Sequence, residues 1–259
     1  MGADRPLDGR VAIVTGASRG IGRAIAIHLA SLGARLVLNY ASSSSCPYAD
    51  LLATELNSSS SSSAVRAVAV RADVSDPDNV KSLFDRAESF FGTAPHILVA
   101  CAGIWFLHPS LADTAVEDWD AIFAVNARGA FLCCREAANR LQQGGGGWII
   151  TVSSSLVGAL RPGYAAYTAS KVAVEAMTRI LAKELKGTRI TANCVAPGPV
   201  ATELFFAGKS EETVKKVVEE CPLGRLGETK DIAPVVGFLA TDAAEWVNGQ
   251  VIRANGGYV

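Results

Sequence analysis

The sequence predicts an α/β protein built on one doubly wound parallel sheet of about seven strands flanked by helices. Short apolar segments alternate with amphipathic helical stretches along all 259 residues. The strand segments are apolar throughout, as in RVAIVTG at 10–16, which indicates burial on both faces beneath helices. Strict alternation favours right-handed strand–helix–strand units. Because no change in composition divides the chain, we predict a single domain over residues 1–259.

The elements follow from periodicity and from capping residues. Strands are predicted at 10–16, 35–40, 66–74, 96–103, 148–154, 189–198 and 250–257. Helices are predicted at 20–34, 77–92, 116–142, 167–187 and 229–240. Gly33 ends the first of these helices, Asp76 caps the second, and the glycine run 144–147 ends the third.

Two kinds of connection interrupt this pattern. Serine runs at 42–45 and 58–63 flank a short helical segment and are typical of flexible loops. The connection 199–226 is long for a link between a strand and a helix, and such connections are often functional. We therefore predict a lid over the substrate around 199–226.

Composition excludes several classes of partner. The 24 basic and 25 acidic side chains nearly balance, so no overall field attracts nucleic acid or anionic lipid, and a small molecule is expected. The six cysteines form no CxxC and no histidine cluster accompanies them, so no metal site is predicted. No apolar run reaches membrane-spanning length. The opening MGADRPLDGR lacks an apolar signal core and carries acidic residues, so a cytoplasmic protein is expected.

A glycine-rich loop joins the first strand to the first helix. In TGASRGIG at 15–22, Gly16, Gly20 and Gly22 let the chain turn sharply and let main-chain N–H groups approach a pyrophosphate at the positive end of the helix. A loop of this kind also occurs as a simple tight turn. Its place on the first strand–turn–helix of an alternating chain favours dinucleotide binding, and no Gly-Lys-Ser/Thr follows that would make it a Walker loop.

The end of the second strand discriminates between the two nicotinamide dinucleotides. A ribose 2′-hydroxyl is usually bound by an acidic residue there, whereas a 2′-phosphate is bound by cations and hydroxyls. The strand ends NYASSS with no Asp or Glu at 39–45, and Arg19 of the glycine loop can reach a phosphate. NADP(H) is therefore predicted; the alternative is that Arg19 is a solvated loop residue.

The glycine loop combined with Tyr167-x-x-x-Lys171 resembles the short-chain dehydrogenase/reductase family. The likeness covers essentially the whole chain and is strongest to plant NADPH-dependent aldehyde reductases, with LAKELKGTRITANCVAPGPVATELFF and EWVNGQ carrying that closer match. It implies a single-domain Rossmann fold, an NADP(H)-dependent oxidoreductase activity, and a homotetramer or homodimer.

The resemblance also implies roles for individual residues. Asn126, Ser154, Tyr167 and Lys171 fall at the catalytic positions of the family. Asp73 falls where the family binds adenine, with a cap for the following turn as the alternative, and Thr202 falls where it binds the nicotinamide carboxamide. The predicted cofactor-binding residues are Gly16, Ser18, Arg19, Gly20, Ile21, Gly22, Tyr40, Ala41, Ser42, Asp73, Val74, Ala102, Gly103, Tyr167, Lys171, Pro197, Gly198, Val200 and Thr202.

One motif departs from the family. Where the family has Asn-Asn-Ala-Gly after the fourth strand, this chain has ACAG at 100–103. The glycine that lets the backbone come close to the nicotinamide is kept, but the asparagines that brace the strand are not. Local packing is therefore expected to differ, without loss of the cofactor site.

The chemistry of the Tyr–Lys pair follows from its spacing. A tyrosine has a pKa near 10, too high for ready proton exchange at neutral pH. A lysine four residues later on a helix lies one turn away, where its ammonium would lower that pKa. Tyr167 is thus predicted to be the general acid/base, whereas Tyr164 has Thr168 at the same spacing and no such partner.

Ser154 and Asn126 complete the predicted catalytic set. Alternation on a strand directs Ser153 and Ser155 differently from Ser154, which is predicted to donate to the substrate oxygen while Ser155 lines the pocket. Asn126 interrupts an apolar helix, where asparagine is mildly disfavoured. In the family this residue binds a water that leads protons toward the lysine; the alternative is a hydrogen bond to neighbouring backbone.

The predicted substrate pocket is largely aromatic, which favours an apolar or aromatic carbonyl compound, although any of these aromatics could equally be core residues. It comprises Trp105, Ser155, Leu156, Tyr164, Phe205 and Phe206, with Phe106 beside them. The leading hypothesis is reduction of an aldehyde or ketone by NADPH. Reduction of a 3-oxoacyl thioester stays open because Lys209, Lys215 and Lys216 lie near the lid. Alcohol oxidation and a nucleotide-sensing or scaffold role also stay open.

Overall fold

The computed structural model describes residues 5–58, 65–106 and 110–259. Its centre is a seven-stranded sheet in the order β3-β2-β1-β4-β5-β6-β7, with every neighbouring pair parallel. The strands are β1 Val11–Val14, β2 Arg35–Tyr40, β3 Ala67–Arg71, β4 Ile97–Ala100, β5 Gly147–Val152, β6 Ile190–Pro197 and β7 Val251–Ala254. The predicted fold class is confirmed.

Helices follow the strands in the predicted alternation. They are α1 Gly20–Ser31, α2 Cys46–Ser58, α3 Pro77–Phe91, α4 Val116–Phe123, α5 Ala130–Arg140, α6 Leu156–Ala159, α7 Ala165–Glu184, α8 Glu203–Phe206, α9 Glu211–Glu219 and α10 Thr229–Leu239. Asp76 caps α3 by accepting from the Asn79 amide, and Gly92 ends the helix with a left-handed φ, as each residue type favours. Within the described residues, no helix combines the length and apolarity needed to cross a membrane.

The sheet has a hydrophobic core on each face. Ala12 and Val14 of β1 belong to the core cluster that contains residues of α1 and α10. The intervening Val11 and Ile13 belong to the cluster on the other side, with residues of α3 and α5. Because alternate side chains of one strand enter opposite cores, every position is apolar, and the alternation typical of a half-exposed strand is absent from the sequence.

The order of the strands also determines where a ligand can bind. The chain runs outward from β1 through β2 to β3 and then returns to place β4 on the other side of β1. At such a reversal, the loops after the two adjacent strands separate and leave a crevice at their carboxyl ends. The glycine loop follows β1 and residues 101–106 follow β4, so both predicted cofactor segments border this crevice.

Some element boundaries differ from the prediction. The expected helix 116–142 is interrupted by a π-helical segment, Ala124–Gly129, between α4 and α5. The serine run 42–45 is partly helical, because Ser43–Ser45 forms a 3₁₀ turn capped by Ser42 that leads into α2. Of the second serine run, Ser58 ends α2 and residues 59–63 lie outside the described part of the chain. The fifth strand ends at Val152 rather than at residue 154.

Candidate active site

A cleft of about 780 Å³ opens at the carboxyl ends of the strands. Its wall contains all of the predicted cofactor-binding residues, from Gly16 to Thr202, together with Ser154. The predicted substrate residues Trp105, Ser155, Leu156, Tyr164 and Phe205 also border it. The cleft therefore brings together segments from both ends of the chain, from Gly16 of the first loop to Tyr258.

The glycine loop is as tightly built as a dinucleotide requires. A Cβ at Gly22 would lie 2.2 Å from the Gly16 carbonyl oxygen, so only glycine lets α1 approach the turn after β1 this closely. In the described residues around the start of α1, Arg19 offers no side-chain cap and the first turn holds no acidic residue. The positive end of the helix is thus left for an anion, and the loop fits a pyrophosphate.

The adenosine side of the cleft shows two side chains already bonded to protein. Arg19 Nη1 lies 3.3 Å from Glu203 Oε2 in an exposed ion pair that joins the glycine loop to α8. Asp73 Oδ1 accepts from the amide and the hydroxyl of Ser75, at 2.9 and 2.8 Å. One carboxylate oxygen of Asp73 therefore caps the following turn, as the alternative expected. The role of Asp73 in binding adenine stays a prediction.

The Tyr167–Lys171 pair differs electrostatically from the prediction. Burial raises the pKa of the Tyr167 phenol to about 12, against a lowering by its hydrogen bond with Ser154. Lys171 is not what lowers it: its Nζ donates to the Val152 carbonyl oxygen at 2.8 Å and lies 5.6 Å from the Tyr167 ring centre. Burial also lowers the pKa of Lys171. The expected lowering of the Tyr167 pKa by Lys171 is therefore wrong for this structure, because the ammonium turns toward a carbonyl of β5.

The three serines after β5 have separate partners. Because the strand ends at Val152, strand alternation does not extend through them. The Ser153 hydroxyl donates to Glu175 at 2.8 Å, and the Ser155 hydroxyl donates to the Ala196 carbonyl at 3.1 Å and accepts from Asn255. Only Ser154 bonds the Tyr167 phenol. Ser155 borders the cleft, as predicted, but it is nearly fully buried and its hydroxyl bonds to protein.

Asn126 lies in the π-helical segment behind Lys171, outside the main cleft. Its Oδ1 accepts from the Ile104 amide at 2.8 Å, and its Nδ2 donates to the Ile104 carbonyl at 2.9 Å and to Ser170 at 3.2 Å. Asn126 and Lys171 line the same small space beneath the cleft. Asn126 thus makes the hydrogen bonds to backbone groups that were the alternative to a catalytic role. Single π-helical turns occur frequently at functional sites.

Thr15 supplies the bracing that the altered ACAG motif lacks. Its hydroxyl oxygen accepts from the amides of Cys101 and Ala102, at 2.9 and 3.0 Å. It therefore fixes the backbone after β4 against the loop after β1. Thr15 was not among the predicted site residues, although it is the first residue of the glycine motif.

The substrate side of the cleft is built around two stacked rings. Trp105 and Tyr164 lie 5.3 Å apart with an interplanar angle of 20°. The Trp105 indole donates to the Leu204 carbonyl oxygen at 2.8 Å and so fastens α8 over the cleft. Phe206 and Phe106 do not border the cleft and are about 46% and 40% exposed, so their predicted place in the pocket is wrong. The lining residues that were not predicted include Arg161, Lys209, Val217 and Tyr258.

Thr202 caps α8 in this structure. Its hydroxyl oxygen accepts from the Phe205 amide at 3.2 Å, which caps α8, and its hydroxyl donates to the Val200 carbonyl at 3.3 Å. Its methyl group faces Gly20 of the glycine loop. The side chain thus borders the cleft where α8 meets the glycine loop, and the carboxamide role stays a prediction.

The fold and the cleft together define a dinucleotide-binding oxidoreductase. The model of the family described as enoyl-(acyl carrier protein) reductase matches residues 16–259. Two Arabidopsis thaliana proteins are each 60% identical: the NADPH-dependent aldehyde reductase-like protein, chloroplastic, over 98% of this chain and 96% of its own length, and NADPH-dependent aldehyde reductase 2, chloroplastic, over 97% and 94%. A short chain dehydrogenase from Burkholderia cenocepacia in complex with NADP is 33% identical, with a TM-score of 0.89, covering 98% of this chain and 99% of that one.

This chain belongs to the short-chain dehydrogenase/reductase family. The predicted resemblance is confirmed. The predicted cytoplasmic location is contradicted, since both Arabidopsis relatives are named chloroplastic. That expectation rested on the charge and polarity of the first ten residues, and local composition there does not determine the compartment.

Proposed function

We propose that this protein is an NADPH-dependent reductase of aldehydes or ketones, and that it acts in the plastid. The observation that carries the proposal is the hydrogen-bonded Ser154–Tyr167 pair in a cleft that begins at a glycine cradle. The names of the two Arabidopsis relatives support the same activity and compartment.

The residues of the cleft suit the protonation half of such a reduction. When bound, the nicotinamide supplies a hydride. Because the pKa of Tyr167 is about 12, its phenol is protonated at neutral pH and can donate to an alkoxide, which is a far stronger base than a phenolate. Ser154 interacts with the phenol and accepts from the Leu156 amide at 3.2 Å, so its own proton is the group that it can donate to the substrate oxygen.

The proposed cofactor is the phosphorylated dinucleotide. Residues 39–45 carry no carboxylate to repel a 2′-phosphate. Arg19 lies on the cleft wall, and its exposed ion pair with Glu203 contributes little, so exchanging that carboxylate for a phosphate costs little. A guanidinium binds a phosphate with two parallel hydrogen bonds, which compensates for the exchange.

A carbonyl panel assayed with both nicotinamide cofactors tests this proposal. We expect NADPH oxidation with aromatic and medium-chain aldehydes or ketones, and a kcat/KM for NADPH at least about tenfold above that for NADH because of the charge contact with Arg19. A 3-oxoacyl thioester belongs in the panel because the matching family description names an acyl-carrier reductase. A preference for NADH, or for thioesters over free carbonyls, contradicts the proposal.

The segment 199–226 is proposed to act as the substrate lid. It contains α8 and α9, and Leu204, Phe205 and Lys209 border the cleft. Several contacts connect it to the rest of the cleft. The Trp105 indole donates to the Leu204 carbonyl, and Arg19 pairs with Glu203. Arg161 pairs with Glu220, and the Lys209 ammonium lies over the Trp105 ring. These contacts are mainly polar, and such contacts open at lower cost than a packed core.

The protein is further proposed to form a homotetramer, because it presents two separate apolar surfaces. One follows the edge strand β7 and includes Phe238 and Trp246, the latter 99% exposed. The other lies on α5 and α7 and includes Phe131, Val172 and Ile180. Two self-complementary surfaces on one chain generate a closed tetramer, whereas one gives a dimer.

Light scattering after gel filtration tests the oligomeric state. We expect four copies of the chain for the wild type and two for Trp246→Glu, because a buried carboxylate would disrupt the β7 surface and leave the other intact. Leu51→Glu, on the exposed side of α2, is the matched control and should stay tetrameric. A monomeric wild type, or a tetrameric Trp246→Glu, contradicts this arrangement.

A further inference from the structure

Lys209 is an unusual cation in the wall of the substrate cleft. Its ammonium lies 4.1 Å from the ring centre of Trp105, 4.8 Å from that of Phe205 and 5.9 Å from that of Tyr164. Since Trp105 and Tyr164 stack 5.3 Å apart, these distances place the ammonium beside the stacked pair, within reach of both rings. Its Nζ also donates to the Phe205 carbonyl oxygen at 2.6 Å. The group is therefore held in one position.

The charge of Lys209 is not neutralised by protein. Among the described residues, no carboxylate lies within ion-pair distance of its Nζ, whereas Arg161, the other cation on this side of the cleft, is paired with Glu220. Glu203 of the lid is paired with Arg19. Because the ammonium is partly buried and has no anion beside it in the described part of the chain, burial lowers the pKa of Lys209 to about 8. Partly desolvated cations attract anions more strongly than cations in water do.

We infer that Lys209 selects carbonyl substrates that carry a carboxylate at the end away from the reacting carbonyl group. This inference rests on the proposed function and specifies its substrate class. The rings of Trp105, Tyr164 and Phe205 suit an apolar or aromatic body, and the ammonium at their edge suits an anionic end. A cationic substrate is disfavoured, because the amine of the protein already occupies this aromatic site.

Lys209 and the catalytic pair border the same cleft. Tyr164 immediately precedes α7, and Tyr167 lies one helical turn later. Since Lys209, Tyr164, Tyr167 and Ser154 all line this cleft, one substrate can contact the ammonium with one end and the Tyr167 phenol with the other.

Two aldehydes that differ in charge test the inference. The anionic 4-formylbenzoate and the neutral 4-formylbenzamide have nearly the same shape and are assayed with NADPH. We expect the wild type to favour the benzoate in kcat/KM, and Lys209→Met to lose about tenfold or more on the benzoate with less than about twofold loss on the benzamide. Lys209→Arg should restore the preference. Lys215→Met, which removes an exposed charge from α9, is the control and should keep it.

Binding of benzoate, measured by titration calorimetry, is a second readout that does not depend on turnover. Its Kd should rise about tenfold in Lys209→Met and return in Lys209→Arg. If Lys209→Met lost activity equally on both aldehydes, Lys209 would only fasten the lid, and the inference would be overturned. An unchanged ratio of kcat/KM for the benzoate to that for the benzamide overturns it too. Turnover of the benzamide without any charge preference leaves the proposed function intact. Failure to turn over either aldehyde counts against the proposed function itself.

Discussion

Replacing Tyr167 with phenylalanine is expected to lower kcat by about three orders of magnitude while the protein still binds NADPH. The substitution removes the one hydroxyl that bonds Ser154 and keeps the ring that packs near Lys171. Without the Tyr167 hydroxyl, no acid is positioned to protonate an alkoxide formed in the cleft. The two measurements are the rate of aldehyde reduction, which should collapse, and the Kd for NADPH from fluorescence titration, which should not change.

The pKa of Tyr167 also predicts how the rate of reduction varies with pH. With a pKa of about 12, Tyr167 is in its acid form throughout the neutral range, so the rate of reduction should not fall between pH 6 and about 9 through loss of this proton. Removal of a proton from an alcohol needs the phenolate and should instead accelerate as pH rises. A reduction rate that fell through a pKa near 7 would assign the proton to another group.

Tyr48→Phe is the matched control for the tyrosine substitution. Tyr48 lies on α2 and is 60% exposed, so loss of its hydroxyl should leave kcat unchanged. Thermal unfolding of both variants separates chemistry from folding. If Tyr167→Phe kept more than about a tenth of the wild-type kcat, Tyr167 would not be the general acid, since positioned acids contribute at least about a hundredfold.

The fold was predictable because its signals are local and repeated. Strand β1, for example, is apolar on both faces because its side chains enter two cores, so its sequence shows no alternation of apolar and polar residues. The π-helical segment around Asn126 was not predictable, because its sequence resembles that of a continuous helix. Its shape follows from tertiary hydrogen bonds to Ile104 and Ser170, which the chain forms only after folding.

The candidate site, like the fold, could be predicted from the sequence only in part. The glycine loop, Tyr167 and Lys171 could be located from short motifs whose spacing is set by one turn or one helix. The direction of the Lys171 ammonium depends on the Val152 carbonyl, 19 residues away in sequence. The pKa of Tyr167 is raised chiefly by burial, which depends on the whole folded cleft. The rings around Lys209 come from three separate segments of the chain. The sequence therefore shows a lysine in segment 199–226 but not the aromatic side chains that surround it.

Gly22→Ala is expected to abolish measurable NADPH binding and to destabilise the protein. The added Cβ would lie 2.2 Å from the Gly16 carbonyl oxygen and 2.9 Å from its carbonyl carbon, and a backbone cannot rotate away as a side chain can. Either α1 moves away from β1 or the loop changes shape. Overpacking of this kind costs about 3 kcal/mol, which lowers the Tm of a chain this long by roughly 10 °C. Calorimetry and NADPH titration measure the two effects.

Two other glycines separate steric collision from backbone strain. Gly20 has φ +56°, but a Cβ there would meet only the Thr202 methyl at 3.6 Å, so Gly20→Ala should cost about 1 kcal/mol and weaken NADPH binding less. Gly9, outside the cleft, has φ +79° with open space around it, and Gly9→Ala should show the strain cost with unchanged NADPH affinity. Equal losses of NADPH affinity in Gly22→Ala and Gly9→Ala would mean that the close approach of α1 to the turn after β1 is not what forms the phosphate site. If close backbone contact forms the phosphate site, only Gly22→Ala and Gly20→Ala should lose NADPH affinity, and Gly22→Ala should lose more.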